Sequence, residues 1–134
     1  MFHLVLDGTA RIDVTYRDKT ISYATDGSLP NPLEATYAAL AGCAGVYTIK
    51  ACKALGIPDE GIGISVKPVV RPANPSMPAR IETIVAFPGR IGPEQREAIL
   101  ASIDKCAVKE LMKNGGNVEF NVKDGDPGRA TADR

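Results

Sequence analysis

A chain of 134 residues is of single-domain size, long enough to bury most of its apolar surface in one core. Its 16 Lys+Arg balance its 16 Asp+Glu, which leaves no basic excess to hold nucleic acid or anionic lipid and argues against both as partners. The longest uncharged run covers residues 35–49, short of the ~20 apolar residues of a spanning helix. The N-terminus, Met1-Phe2-His3-Leu4-Val5-Leu6-Asp7, has no basic flank of a secretory signal. Three cysteines are an odd number, and a chain of this size does not depend on disulfide staples. A soluble cytoplasmic protein with reduced thiols is expected, without cofactor. Metal binding is disfavoured, because three cysteines and one histidine stand at no metal-site spacing.

Residues 10–17 alternate strictly, with Ala10, Ile12, Val14 and Tyr16 on one side and Arg11, Asp13, Thr15 and Arg17 on the other, as in a half-buried strand. Turn signals at Asp7-Gly8 and Arg17-Asp18-Lys19 set it between segments 2–6 and 20–24, which predicts an N-terminal β-meander. A long helix over 32–55 follows. Asn31 is its N-cap, Pro32 its first residue, and Glu34 at N3 can reach back to the cap. Lys50 and Lys53 suit its C-terminal dipole, Gly56 suits the position after the cap, and Pro58 prevents continuation. Its middle is Ala, Leu, Gly, Val and Tyr on all sides, so it is expected to be a central helix surrounded by protein.

Alternation predicts two further strands over 61–67 and 80–87. The link between them, 68–78, holds four prolines and is expected to be an irregular loop or hairpin tip. A second helix starts near Gly92-Pro93, carries the stripe Ile99, Leu100, Ile103, Cys106, Ala107, Leu111 and ends at Asn114-Gly115-Gly116. Val118, Phe120 and Val122 alternate in a closing strand. These elements make one domain over 1–123 with a polar tail, 124–134, expected to be disordered.

The cysteines are the residues that speak to function. Taken singly, each is most often a small core hydrophobe. Cys43 and Cys52 are nine residues apart, so on one helix they face opposite ways and cannot pair. Cys106 shares the stripe of Ile99 and Ile103 and faces inward, toward whatever its helix packs on. The helix of Cys43 is the candidate, which suggests a redox pair. Ala39, Ala41, Gly42, Ala44 and Gly45 surround Cys43, leaving room for helix packing or for a substrate beside the sulfur. An apolar site alone raises a thiol pKa, so a reactive Cys43 needs a cation or hydrogen-bond donors. His3, Arg11, Arg17 and Lys19 are the positive candidates on the N-terminal strands, with Arg11 and Arg17 on the face opposite Ile12 and Val14.

The segment Asn31-Pro-Leu-Glu-Ala-Thr-Tyr-Ala-Ala-Leu-Ala-Gly-Cys43, followed after two strands by Cys-Ala-Val-Lys-Glu-Leu at 106–111, resembles the OsmC/Ohr family of osmotically inducible and organic-hydroperoxide-resistance proteins. The resemblance covers nearly the whole chain and points to the broader OsmC-like branch. It implies an α+β fold: N-terminal β-meander, long central helix, two further strands, second helix and closing strand, in an intertwined homodimer with active sites at the subunit interface. It also implies reduction of organic (alkyl or fatty) hydroperoxides at the expense of a dithiol reductant, with Cys43 as the peroxidatic thiol and Cys106 as the resolving one. Arg11 and Arg17 remain candidate thiolate-stabilising cations, because the family's arginine is not placed by any matching motif in the approach 23–30. Glu34 falls one residue nearer the cysteine than its counterpart in the Ohr branch and faces away from Cys43 on a straight helix, so it is a candidate for the site or for the helix cap alone. The family commonly has proline after the second cysteine; with Ala107 here, the second helix is expected to run through without a break. The alternative function on the same fold is a small-molecule binding or redox-sensing protein that does not turn over.

Overall fold

The computed structural model describes residues 1–125, the side chain of Ser76 excepted. Its elements are β1 (Arg11–Tyr16), β2 (Lys19–Ala24), α1 (Pro32–Leu55), β3 (Gly63–Arg71), β4 (Asn74–Ala86), α2 (Pro93–Ile103) and α3 (Ala107–Asn114). The chain divides into two compact units, one of Met1–Ala35 with Val118–Arg134 and the other of Thr36–Asn117.

In the first unit β1 and β2 form an antiparallel hairpin in the register Arg11↔Ala24 to Tyr16↔Lys19. Arg17 takes the left-handed conformation its tight turn demands, with φ 56. The expected first strand is reduced to a single bridge between His3 and Thr15, so the meander has two full strands. The end of the unit differs more. Val118, Phe120 and Val122 lie outside any strand and are 73, 92 and 95% exposed; their alternation suits a strand, but no strand of the described residues pairs with them. Of the predicted tail, Asp124 and Gly125 are outside regular structure and the remainder lies outside the described residues.

The first turn of α1 is built as its sequence predicts. Asn31 Oδ1 accepts the Glu34 N–H at 2.9 Å, and Glu34 Oε1 accepts the Asn31 N–H at 3.1 Å, a reciprocal capping box. Gly56, with φ 67, ends the helix. Along its length only the stripe Leu40, Ala44, Thr48, Ala51, Cys52 is buried. Val46 and Ile49 are about half exposed, at 48 and 47%, so within one chain α1 is covered on one face rather than surrounded.

In the second unit β3 and β4 form a long antiparallel ribbon that continues through the proline-rich segment expected to be irregular. A two-stranded ribbon leaves each strand one free edge, so Pro68 and Pro78 keep their places opposite Ile81 and Val70, while Pro75 falls where the register is interrupted. Pro72 and Ala73 make the turn between Arg71 and Asn74; the register slips twice, at Ala79 and again across residues 75–77. The core of this unit is Ala51, Cys52, Ile91 and Ile99, with Ile57, Ile62, Phe87 and Ile103 packed on it. Each fully buried isoleucine contributes roughly 1.5–3 kcal/mol, and Ile99 brings that contribution from α2. Ser102 Oγ donates to the Tyr47 carbonyl at 3.0 Å and adds a polar tie between the same two helices.

Candidate active site

The largest departure from expectation creates the site. The predicted second helix does not run through: α2 stops at Ile103 and α3 starts at Ala107, with Cys106 between them in an extended conformation, φ −53 and ψ 122. The bend turns the Cys106 side chain into the protein, leaving 1% of the residue exposed. Local hydrogen bonds close the break. Cys106 Sγ acts as the N-cap of α3 and accepts the Lys109 N–H at 3.5 Å. Lys109 Nζ donates back to the Asp104 carbonyl at 2.7 Å and pairs with its carboxylate at 2.9 Å, supplying a partner for an acceptor that the end of α2 would otherwise lack. No proline is needed for this bend.

A helix that begins at 107 frees the N–H groups of its first turn. Those of Ala107 and Val108, together with the Cys106 thiol, favour the ionised form of the Cys43 thiol in the same unit. Burial pushes the Cys43 thiol up, but the Cys106 hydrogen bond, the two N–H groups and the charge of Lys50 together bring it below the ordinary thiol range. Burial and the bond to Cys43 push Cys106 the other way. The two thiols are therefore shifted in opposite directions, Cys43 down and Cys106 up. Cys52, on the opposite face of α1 as the spacing requires, is 1% exposed in the core and is pushed up by burial and by Asp59.

Neither the backbone donors nor Lys50 is prominent in the sequence. Lys50 follows Cys43 by seven residues, 700° of helix, which returns it to the same face; that spacing is the signal that could have found it. The Ala107 and Val108 donors depend on a break with no proline to mark it. Arg11 and Arg17 belong to the hairpin unit and have partners there. Arg11 Nε pairs with Asp13 at 2.9 Å and its second nitrogen reaches Ser22 at 3.1 Å, while the Arg17 guanidinium lies over the Tyr16 ring at 5.1 Å. Glu34 is engaged at the helix cap. Of the small residues near Cys43, Ala44 is buried, whereas a Cβ on Gly42 or Gly45 would meet nothing within 4 Å among the described residues.

Beside Cys106 the protein is hollow. A cavity of about 200 Å³ is lined by Leu40, Ala44, Leu100, Ile103 and Cys106, among others, and a wider cleft of about 680 Å³ shares Leu40, Thr83 and Lys109 with it. Cys106 thus lines the smaller cavity, together with Asp104 and Lys109.

The OsmC-like protein family model matches residues 25–121, most of the chain, including both cysteines of the pair. The chain belongs to the OsmC-like family. Two solved structures agree with that fold. One is a putative osmotic stress induced and detoxification response protein from Psychrobacter arcticus 273-4, 14% identical, TM-score 0.66, over 81% of this chain and 85% of that one. The other, described only as structural genomics, is 13% identical with TM-score 0.69, over 86% of this chain and 90% of its own. No curated protein is significantly similar in sequence. The OsmC-like match begins after both Arg11 and Arg17.

This OsmC-like chain offers a direct test of its backbone donors. Ala107→Pro removes one N–H at the first position of α3, where proline's fixed φ fits and the extended Cys106 before it is already suitable. The reactivity of Cys43 rises as pH rises through its pKa, so loss of a donor is expected to move the whole profile to higher pH and slow alkylation severalfold near neutrality. Iodoacetamide rates against pH, with the labelled cysteine identified by mass, check this; an unmoved profile would show that the Ala107 donor contributes nothing.

Proposed function

We propose that this protein is a cysteine-based hydroperoxide reductase acting on organic hydroperoxides, in the cytoplasm and as part of a detoxification response of the kind named for its structural relative. What supports the reading is that Cys43 and Cys106 act on each other in one unit and are shifted in opposite directions, Cys43 down and Cys106 up. In the first step the Cys43 thiolate attacks the distal peroxide oxygen, the O–O bond breaks, and Cys43 becomes a sulfenic acid. The departing alkoxide must be protonated, and the Cys106 thiol is the adjacent donor. Having lost its proton, Cys106 is a thiolate beside the sulfenic sulfur; it attacks, forming a Cys43–Cys106 disulfide and releasing the second oxygen as water. An external dithiol then returns both thiols. The sum is ROOH and two thiols giving ROH, water and a disulfide. Arg11 and Arg17 retain a role here only as further cations for the thiolate.

The family match spans parts of both compact units, which supports treating residues 1–123 as one functional domain. A homodimer is part of the proposal, supported by Val46 and Ile49 on the open face of α1 and by the exposed Val118, Phe120 and Val122. Sedimentation at low protein concentration is expected to give a dimer, and a stable folded monomer would contradict it.

The chemistry is tested by stoichiometry. One equivalent of cumene hydroperoxide is expected to consume both thiols and leave a Cys43–Cys106 cross-linked peptide pair in an unreduced digest, with Cys52 still free. Oxidation that leaves the two cysteines unlinked would favour the binding or sensing alternative.

A further inference from the structure

Lys109 does more at the bend than cap a helix end. α3 has eight residues and none of them is fully buried, so it has neither the length nor the apolar contact that keeps a helix in place. Its attachment is at its start. The Lys109 N–H donates to Cys106 Sγ at 3.5 Å, while the ammonium of the same residue reaches back past Cys106 to the Asp104 carbonyl at 2.7 Å and carboxylate at 2.9 Å, with Glu110 at 3.2 Å. Its three protons thus have three acceptors, and one residue closes a ring around the bend from 104 to 109. Ala107 and Val108, whose N–H groups favour the Cys43 thiolate, lie inside that ring. The Asp104 side chain is 81% exposed, so the ion pair contributes little; the bond from the ammonium to the backbone carbonyl is the firmer tie. The cation whose charge reaches Cys43 is Lys50, which leaves Lys109 a mechanical part.

We propose that Lys109 is a positioning residue for Cys43: by tying the start of α3 back to Asp104, it holds the Ala107 and Val108 N–H groups in the arrangement that serves the thiol. The chain has Ala107 where a proline would fix such a bend by itself, and the lysine takes over that task from two residues further on. The inference deepens the peroxidase reading, since the same donors set how much thiolate meets a hydroperoxide, but its test is made on the thiol alone.

Lys109→Met keeps the aliphatic stem and removes all three bonds. In the reduced full-length protein, with iodoacetamide and the labelled cysteine identified by mass, Cys43 of this variant is expected to react about threefold or more slowly near neutrality. The whole profile is displaced to higher pH, and the wild-type rate returns where the thiolate is complete. Lys109→Arg, whose fork can reach both carbonyl and carboxylate, is expected to restore most of the rate. Amide hydrogen exchange in α3 is expected to be faster in Lys109→Met than in wild type or Lys109→Arg. Because Lys109 acts through the donors, its loss is not additive with theirs: in Ala107→Pro, where proline fixes the bend and one N–H is already gone, Lys109→Met is expected to add little further slowing. The kcat/KM for cumene hydroperoxide is expected to fall by the same factor as the alkylation rate. A displaced alkylation profile in a protein without peroxidase turnover would end the peroxidase reading and leave the positioning role standing. An unmoved profile in Lys109→Met, with or without a loss of stability, would make Lys109 a structural tie only and overturn the proposal. Equal slowing in Lys109→Arg and Lys109→Met, or slowing that adds in full to that of Ala107→Pro, would overturn it as well.

Discussion

Replacing Cys43 by serine is expected to reduce hydroperoxide-dependent oxidation of dithiothreitol by about three orders of magnitude or more, to the level of the uncatalysed reaction. The size of the effect follows from what the site does for sulfur and cannot do for oxygen. Two backbone N–H groups, the Cys106 thiol and the Lys50 charge outweigh burial and make Cys43 ionise below the ordinary thiol range. A serine hydroxyl starts so much higher that the same donors leave it protonated, and oxygen has no sulfenic chemistry to pass on to Cys106. Cys52→Ala is the control. Its sulfur is held in the core with Ala51, Ile91 and Ile99, so its loss is expected to cost about 1 kcal/mol of stability and little or no turnover. Steady-state consumption of dithiothreitol by the three proteins decides the matter. Equal rates for wild type and Cys43→Ser would remove the enzymatic assignment.

The parts of the molecule legible from sequence are those whose determinants are local. Asn31, Pro32, Glu34 and Gly56 fix both ends of α1 through hydrogen bonds and backbone preferences that involve only nearby residues. The opposite placement of Cys43 and Cys52 needs only 100° per residue. The less legible parts depend on distant partners. The 118–122 alternation describes a strand, yet a strand requires an edge to pair with, and the described residues provide none. The ribbon through Pro68 and Pro78 is the converse case, in which residues that break a central strand are tolerated, with the register slipping beside Pro78, because both strands are edges.

The site shows the same division. That Cys106 faces inward could be read from the stripe of Ile99 and Ile103. That it caps a new helix could not, because Ala107 and Lys105 on either side of it are good helix formers and cysteine is not a customary cap. The break is stabilised by burial of Cys106 and by the Lys109 ties to Asp104, which appear only once the chain is folded. Searching for a thiolate-stabilising arginine directs attention to charged side chains. In this second unit the donors nearest the thiol are largely backbone groups, whose identity no residue type records.

Cys106→Ser separates a cycling enzyme from a passive thiol, and the structure makes it an unusually clean substitution. Serine is a better N-cap than cysteine, so its hydroxyl can accept the Lys109 N–H and keep α3, with the Ala107 and Val108 donors, in place. It can also hydrogen-bond to Cys43. The first oxidation step is therefore expected to continue, slowed because a hydroxyl is a weaker acid than a thiol toward the departing alkoxide, and one equivalent of cumene hydroperoxide should leave Cys43 as a sulfenic acid, captured as a dimedone adduct. What serine cannot do is form the disulfide. Turnover with a dithiol is expected to fall about tenfold or more, since an external thiol must now enter the recess to reach the sulfenic sulfur. Excess peroxide should carry Cys43 on to the sulfinic acid, a state the wild type avoids by closing its disulfide first. If wild type over-oxidises at Cys43 as readily as Cys106→Ser, then Cys106 serves to cap α3, and the pair is a sensing or binding site instead of a catalytic couple.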